Sequence, residues 1–260
     1  MTDQQHRPVP GFGWETSNGV APASGAVFVA LYRLILRSVA TRGRLAAILA
    51  LDAVSLLTAV TVRASTPYDP LRAGAGYVNG NLSTLVPVAV LVFGAASIGD
   101  LIDDGSLVYL WLRPVPTRLH VLAAWAATVT ITLPLVGVPV LVSTAIIHPD
   151  GGLMTGAVLG TLVAVAAYSG LFVTAGIRFR RALPWGLAYI LIWEGFVAAA
   201  GKTASKLAVR SYVRSILVHE TGISIKLGTF SLATGIIVPL VVAALFLWYA
   251  SRRLATSDVA

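Results

Sequence analysis

Six apolar runs alternate with short polar segments along this chain, and this alternation constrains the fold more than any other feature. A helix of about 20 apolar residues crosses the roughly 30 Å hydrocarbon core of a bilayer. Only 12% of the residues are charged, whereas a soluble domain carries about 25%. The sequence therefore predicts an all-α polytopic membrane protein. Its six predicted transmembrane helices are residues 45–62, 82–102, 121–147, 153–177, 182–200 and 229–250, within a membrane domain of residues 45–254.

The segment before the first apolar run has two parts. Residues 1–25 are rich in Pro, Gly and polar residues and lack a basic-then-apolar signal peptide, which predicts a flexible cytoplasmic tail. Residues 26–44 place apolar side chains at intervals of three and four, with Arg33, Arg37 and Arg44 on another face. Such a helix is typical of the membrane interface. The alternative is that it extends the first transmembrane helix.

Basic residues are unevenly divided between the two sides of the predicted bundle. Six spans put both termini on one side, and 12 of the 19 basic residues then fall on that side. Because cytoplasmic segments carry an excess of Lys and Arg, we expect both termini, including a short tail at 255–260, to be cytoplasmic. The net charge of +8 would then face membrane lipid rather than nucleic acid. High Ala, Val, Leu, Arg and Gly usage with few Lys indicates a GC-rich bacterium, and we expect the chain in its cytoplasmic membrane.

Several kinds of chemical site are not predicted. The chain has no cysteine, and its four histidines are scattered without metal-ligand spacing. Gly201-Lys202-Thr203 resembles the end of a nucleotide-binding loop, but five residues rather than four separate Gly201 from Gly195. No nucleophile is paired with a base by sequence. We therefore expect no enzyme activity and no cofactor in this chain.

Two acids lie inside predicted spans, Asp52 in the first and Glu194 in the fifth. A carboxylate in hydrocarbon is costly and usually faces the bundle interior or a cavity. A proton relay or a cation site is one interpretation of these residues. An internal hydrogen bond, or a position close enough to the interface to reach water, is the other.

An amphipathic pattern occupies the connection between the fifth and sixth spans. Between residues 205 and 218, Lys206, Arg210 and Arg214 recur at intervals of four on one face, and apolar residues share another. The pattern predicts a helix lying on the outer surface or capping the bundle. Small residues in the fourth span, such as Gly156, Gly160 and Gly170, predict close helix packing.

A charged, proline-containing segment separates the second and third predicted spans. Its defining residues are Asp103, Asp104, Gly105, Tyr109, Trp111, Arg113, Pro114 and Arg118. Such a segment cannot lie exposed in hydrocarbon, because its charges and backbone groups would be unsatisfied there. Gly105 and Pro114 mark the ends of a short helix. We expect this helix to lie parallel to the membrane and to contact a partner; the alternative is an ordinary solvated loop.

The layout resembles that of permeases of ATP-binding-cassette (ABC) transporters, in the type-two exporter superfamily. Those permeases have an amino-terminal interfacial helix, six spans, and a first cytoplasmic loop of the form acid-acid-Gly-Ser/Thr-Leu followed by Arg-Pro-Val-x-Arg. Here the loop reads DDGSL at 103–107 and RPVPTR at 113–118, with one extra residue before the last arginine. Trp193-Glu194-Gly195 and SYVRSI at 211–216 are also similar to bacterial members.

The resemblance implies that the 103–118 segment is a coupling helix that docks onto a separate ATPase subunit. ATP and Mg would bind to that partner, and a second permease copy or a homologous permease would complete the transporter. The substrate would be hydrophobic or amphiphilic, such as a drug, a lipid or a secondary metabolite. Two alternatives remain open: a proton-coupled secondary carrier that uses Asp52 and Glu194, and a non-transporting membrane immunity or scaffold protein.

Overall fold

The structure is a computed structural model that describes residues 24–103, 116–179, 181–198, 201–224 and 230–256. These residues are all-helical, with no strand among them. A π-helical segment, Tyr189–Val197, directly continues α7. The α-helices are α1 (Ser24–Val39), α2 (Arg42–Ala64), α3 (Pro70–Ser83), α4 (Leu85–Asp103), α5 (Thr117–Ile147), α6 (Gly151–Arg178), α7 (Ala182–Ala188), α8 (Lys202–Ser205), α9 (Val209–Thr221) and α10 (Leu232–Thr256).

Five helices in the described part of the chain are long and apolar enough to cross a membrane. The all-α class is therefore confirmed, and six full spans are not. The five are Arg42–Ala64, Pro70–Asp100, Thr117–Ile147, Gly151–Arg178 and Leu232–Thr256. The predicted fifth span is represented by the 7 residues of α7 and the 9 residues of the π-helical segment. At 1.5 Å per residue they extend about 24 Å, which is short of the roughly 30 Å hydrocarbon core.

The amino-terminal amphipathic helix is shorter than the predicted 26–44. It ends at Val39, and a new helix begins at Arg42, so Arg44 belongs to the first membrane-spanning helix. Apolar residues of α1, such as Ile35, are buried where it packs against α4 and α5. Arg33 and Arg37 are exposed on the other side. The basic and apolar faces are thus separated as the periodicity indicates.

The connection after α2, which lies between the first two predicted spans, is mostly helical. Asp69 accepts a hydrogen bond from the backbone N–H of Arg72 at 2.9 Å, and Pro70 occupies the first turn, where its missing N–H costs nothing. Thr84, at φ −134° and ψ −61°, interrupts the helix. The second crossing is therefore a bent pair, α3 and α4, which begins at Pro70 rather than at residue 82.

Helix α6 packs in parallel with the α3–α4 pair. A methyl group at Gly74 would lie 2.7 Å from Leu153, and one at Gly160 would lie 2.8 Å from Leu82. Near the other end, a methyl group at Gly176 would lie 2.5 Å from the carbonyl oxygen of Ala95. The small residues of α6 therefore allow close helix approach, as the sequence predicted.

The amphipathic helix was predicted to lie on the outer surface or to cap the bundle, and the first of these positions does not hold for α9. This helix packs against α3, α6 and α10. It runs antiparallel to α6, since Leu217 contacts Gly156 and Val213 contacts Gly160. Ile216 and Leu217 are fully buried. Between α6 and α10, the chain thus enters the bundle as α7 with its π-helical extension and continues through it as α9. These two half-length pieces replace the predicted fifth span.

One end of the bundle, here called the basic end, is where α2 and α5 begin and α4, α6 and α10 end. Two contacts join helices there: Arg44 Nη2 lies 2.7 Å from Asp100 Oδ2, and Thr117 Oγ1 donates to the carbonyl of Ser251 at 3.2 Å. Among the described residues, the arginines near this end are Arg33, Arg37, Arg42, Arg44, Arg118, Arg178, Arg181, Arg252 and Arg253. At the opposite end the helix termini carry Arg63 and Arg72.

Candidate functional site

The predicted ATPase-coupling residues fall mainly outside the described residues. These are Asp104, Gly105, Tyr109, Trp111, Arg113 and Pro114. Asp103 is the last residue of α4, and Arg118 is exposed in the first turn of α5. The segment therefore connects two membrane-spanning helices at the basic end.

Arg118 lies at the start of a helix with many neighbours. Helix α5 runs 31 residues without interruption, although it contains Pro134 and Pro139. It packs against α1, α2, α3, α4, α6 and α10. A displacement at the first turn of α5 would therefore reach most of the bundle.

Glu194 is the centre of a buried polar cluster on the π-helical segment. Its side chain is 1% exposed. Tyr168 of α6 donates a hydrogen bond to Oε2, and Tyr189 donates to Oε1 at 3.0 Å. Arg210 Nη1 donates to the backbone carbonyl of Glu194 at 3.4 Å. The cluster joins α6, the π-helical segment and α9.

The π-helix explains how Tyr189 reaches Glu194. These residues are five apart, and a π-helix aligns residues at that spacing because its backbone hydrogen bonds join i and i+5. The internal hydrogen bond considered for Glu194 thus has two donors. Tyr168 and Tyr189 were not predicted as members of a site, since no local pattern connects Tyr168 to an acid 26 positions away.

Asp52 has a different environment. It is 2% exposed on the buried face of α2, which also carries Ile48, Ser55 and Ala59. Neither of its carboxylate oxygens has a hydrogen-bond partner among the described residues. At 1.5 Å per residue, Asp52 lies about 12 Å along α2 from Arg44 and about 16 Å from Arg63. Neither an internal hydrogen bond nor nearness to the interface accounts for it.

A polar cluster lies one helical turn from Asp52, and the sequence did not predict it. Ser55 Oγ donates to Asn81 Oδ1 at 2.8 Å and lies 2.6 Å from the hydroxyl of Tyr77. The Tyr77 hydroxyl also donates to the backbone carbonyl of Ser55 at 2.6 Å. The three residues border a cleft of about 390 Å³ between α2 and the bend between α3 and α4. Only the i, i+3 spacing of Asp52 and Ser55 is visible in the sequence.

The described residues contain no group of three or more His, Asp or Glu side chains arranged to hold a metal ion. His120 is buried near the start of α5. In the part of the chain that the structure describes, the two buried acids, Glu194 and Asp52, thus lie in separate polar surroundings.

The fold and the buried polar groups define a class, a helical protein with five helices able to cross a membrane. No protein-family model matches the sequence, and no curated protein or solved structure is significantly similar to it.

Proposed function

We propose that this chain is the membrane-spanning permease subunit of an ABC exporter in a bacterial cytoplasmic membrane. Two ATPase subunits on separate chains would bind ATP and Mg, and a second permease copy or a homologous permease would complete the transporter. The substrate would be hydrophobic or amphiphilic. The chain itself would carry no enzyme activity.

The observation that supports this proposal most is the position of the 104–115 connection. It joins α4 to α5 at the basic end, and an excess of arginine is typical of cytoplasmic segments. A soluble ATPase can contact only a cytoplasmic surface. In the proposed orientation, the pattern DDGSL with RPVPTR would be within reach of such a partner.

Two contacts support a mechanism in which force at this segment moves the bundle. The Arg44–Asp100 pair connects the first turn of α2 to the last turns of α4, and Thr117 connects the first turn of α5 to α10. Closure of the ATPase subunits would displace the segment from Tyr109 to Arg118. The displacement would pass to α4 and α5 together and change access to a path through the permease.

Reconstitution with an ATPase tests the proposal. The neighbouring reading frames would be searched for a P-loop ATPase, the full chain would be purified with it, and ATP-dependent transport of a lipophilic dye would be measured in liposomes. We expect Arg113→Glu with Arg118→Glu to abolish co-purification and transport. Arg63→Glu, at the opposite end, is the matched control and should retain both. Failure of the wild-type chain to retain any ATPase would contradict the proposal.

A proton-coupled secondary carrier is the second candidate, because both Asp52 and Glu194 are buried. The two acids share no hydrogen-bond partner in the described part of the chain, so a continuous relay between them is not supported. Liposomes containing the chain alone distinguish the candidates. Substrate movement driven by a pH gradient without ATPase would favour the carrier.

A further inference from the structure

The cleft between α2 and the α3–α4 bend faces the hydrocarbon on its α2 side. Val54, which lines it, is 61% exposed, and other apolar lining residues include Leu51, Leu85 and Val88. The cleft volume of about 390 Å³ falls within the range of small-molecule sites. An apolar molecule could therefore enter it sideways from the bilayer.

The polar wall of this cleft has more acceptors than donors. Ser55 Oγ, the Tyr77 hydroxyl, Asn81 Oδ1 and the backbone carbonyl of Ser55 make three short oxygen–oxygen contacts. Only two hydroxyl protons are available for those three contacts, because the amide of Asn81 donates to the backbone carbonyl of Tyr77. The Tyr77 hydroxyl proton therefore lies within reach of two acceptors, the backbone carbonyl oxygen and Oγ of Ser55. A ligand that supplies a donor would complete the cluster.

Asp52 does not line the cleft itself, but next to this wall it adds an acceptor that has no hydrogen-bond partner among the described residues. It precedes Ser55 by three residues on the same face of α2, and side chains at that spacing are about 5–6 Å apart. Opposite charges at such a distance attract strongly where the dielectric constant is low. A buried carboxylate without a hydrogen bond is costly, and a cation brought to Ser55 would offset that cost.

We infer that this cleft binds a lipophilic amine, with the apolar body between α2 and α4 and the protonated amine at Ser55, Tyr77 and Asn81, next to Asp52. A lipid with an amine headgroup would also supply donors and charge. However, Ser55 lies eight residues, about 12 Å along α2, from Arg63, so a headgroup would have to leave the interface to reach it. The occupant is therefore a free amphiphile. The further idea that this amine is the transported substrate rests on the proposed exporter function. Binding of the amine in the cleft does not depend on that function.

Photolabelling of the full chain tests binding without any ATPase. The probe is dodecylamine with a diazirine in its alkyl chain, applied to the chain in phosphatidylcholine nanodiscs, and the labelled residues are mapped by mass spectrometry. We expect saturable labelling of the cleft residues on α2 and α4. The matching alcohol and the matching carboxylic acid should label them at least about fivefold less, since they lack the positive charge that Asp52 attracts.

Four variants separate a built site from general lipid contact. Asp52→Asn and Ser55→Ala should each reduce amine labelling about tenfold, which corresponds to the loss of one charge-assisted hydrogen bond or its equivalent. Val54→Trp should block the cleft. Leu57→Trp is its matched control, because Leu57 is 66% exposed on the same helix but does not line the cleft. Size-exclusion profiles establish that each variant is folded, and Leu57→Trp should label like the wild type.

Three results would overturn the inference: equal labelling by the amine, the alcohol and the acid; unchanged labelling in both Asp52→Asn and Val54→Trp; or loss of amine labelling when phosphatidylethanolamine is added, which would show that the site takes a headgroup. Transport is measured separately with an added ATPase. Labelling without ATP-dependent transport would reject the exporter function and leave the binding site intact, whereas transport without labelling would reject the site alone.

Discussion

Tyr168 and Glu194, 26 residues apart, meet in the bundle interior, where the tyrosine hydroxyl donates to the glutamate carboxylate. Tyr168 is completely buried on α6, and Glu194 lies on the π-helical segment. The contact holds Glu194, near the end of the π-helical segment, against α6. The chain then continues through α8 to α9, where Arg210 donates a hydrogen bond to the backbone carbonyl of Glu194. Glu194 therefore organises the broken crossing whatever further role it has.

Replacement of Glu194 should destabilise the protein according to how many donors lose their partner. Glu194→Leu leaves the hydroxyls of Tyr168 and Tyr189 without an acceptor, and each unsatisfied buried group costs about 1–3 kcal/mol. Glu194→Gln retains an acceptor and should cost less. Thermal unfolding in detergent, followed by tryptophan fluorescence, compares the two variants. The double variant Glu194→Leu with Tyr168→Phe should be more stable than the sum of its single changes predicts. Strict additivity would argue against the contact.

Close packing of α4 on α6 gives a second stability prediction. A methyl group at Gly176 would lie 2.5 Å from the carbonyl oxygen of Ala95, a backbone atom that cannot rotate away. Gly176→Ala should therefore cost about 1–3 kcal/mol, the range for overpacked interiors. Gly76→Ala on α3 is the matched control, since a methyl group there meets nothing within 4 Å. It should be neutral or stabilising by up to about 1 kcal/mol through helix propensity. Equal melting temperatures for the two variants would contradict this packing.

Composition and apolar run length were sufficient to predict the all-helical membrane class, because bilayer thickness sets the length of a crossing helix. They were not sufficient for α3, whose Pro70 and glycines have the composition of turns. There the deciding interactions are the Asp69 cap and the contact of Gly74 with Leu153. The second of these is tertiary and leaves no local pattern.

The prediction of a full fifth span failed for a related reason. Residues 182–200 are apolar enough to resemble a span, but part of them forms a π-helix that ends at Val197 and, together with α7, is too short to cross. Periodicity predicted the helix α9 but neither its location nor the burial of its basic face, where Arg214 is buried and its Nε donates to Asn79 Oδ1 at 3.1 Å. Apolar residues on a helix face pack equally well against lipid or against a glycine-rich neighbour such as α6, and only the neighbour decides.

The Arg44–Asp100 pair connects the first turn of α2 to α4 at the basic end. Its side chains are 26% and 43% exposed, so screening by water limits its worth to about 1 kcal/mol or less. Arg44→Ala should thus lower the melting temperature only slightly, and less in high salt. If the proposed coupling path is right, the effect on transport will be larger than the effect on stability. Arg44→Asp should impair ATP-dependent transport in liposomes, and Asp100→Arg in the same chain should restore part of it.

Single-cysteine labelling can test the broken crossing directly, because the natural chain contains no cysteine. Cysteines would replace Arg37 and Arg253 at the basic end, Arg63 and Glu220 at the opposite end, and Val213, which is 1% exposed on α9. In intact cells, a membrane-impermeant maleimide should label the positions of Arg63 and Glu220 alone. Arg37 and Arg253 should react only after the membrane is opened, and Val213 only after unfolding. Labelling of Val213 in the folded protein would mean that α9 lies on the surface, and labelling of Glu220 from the same side as Arg253 would mean that the segment between α6 and α10 does not cross.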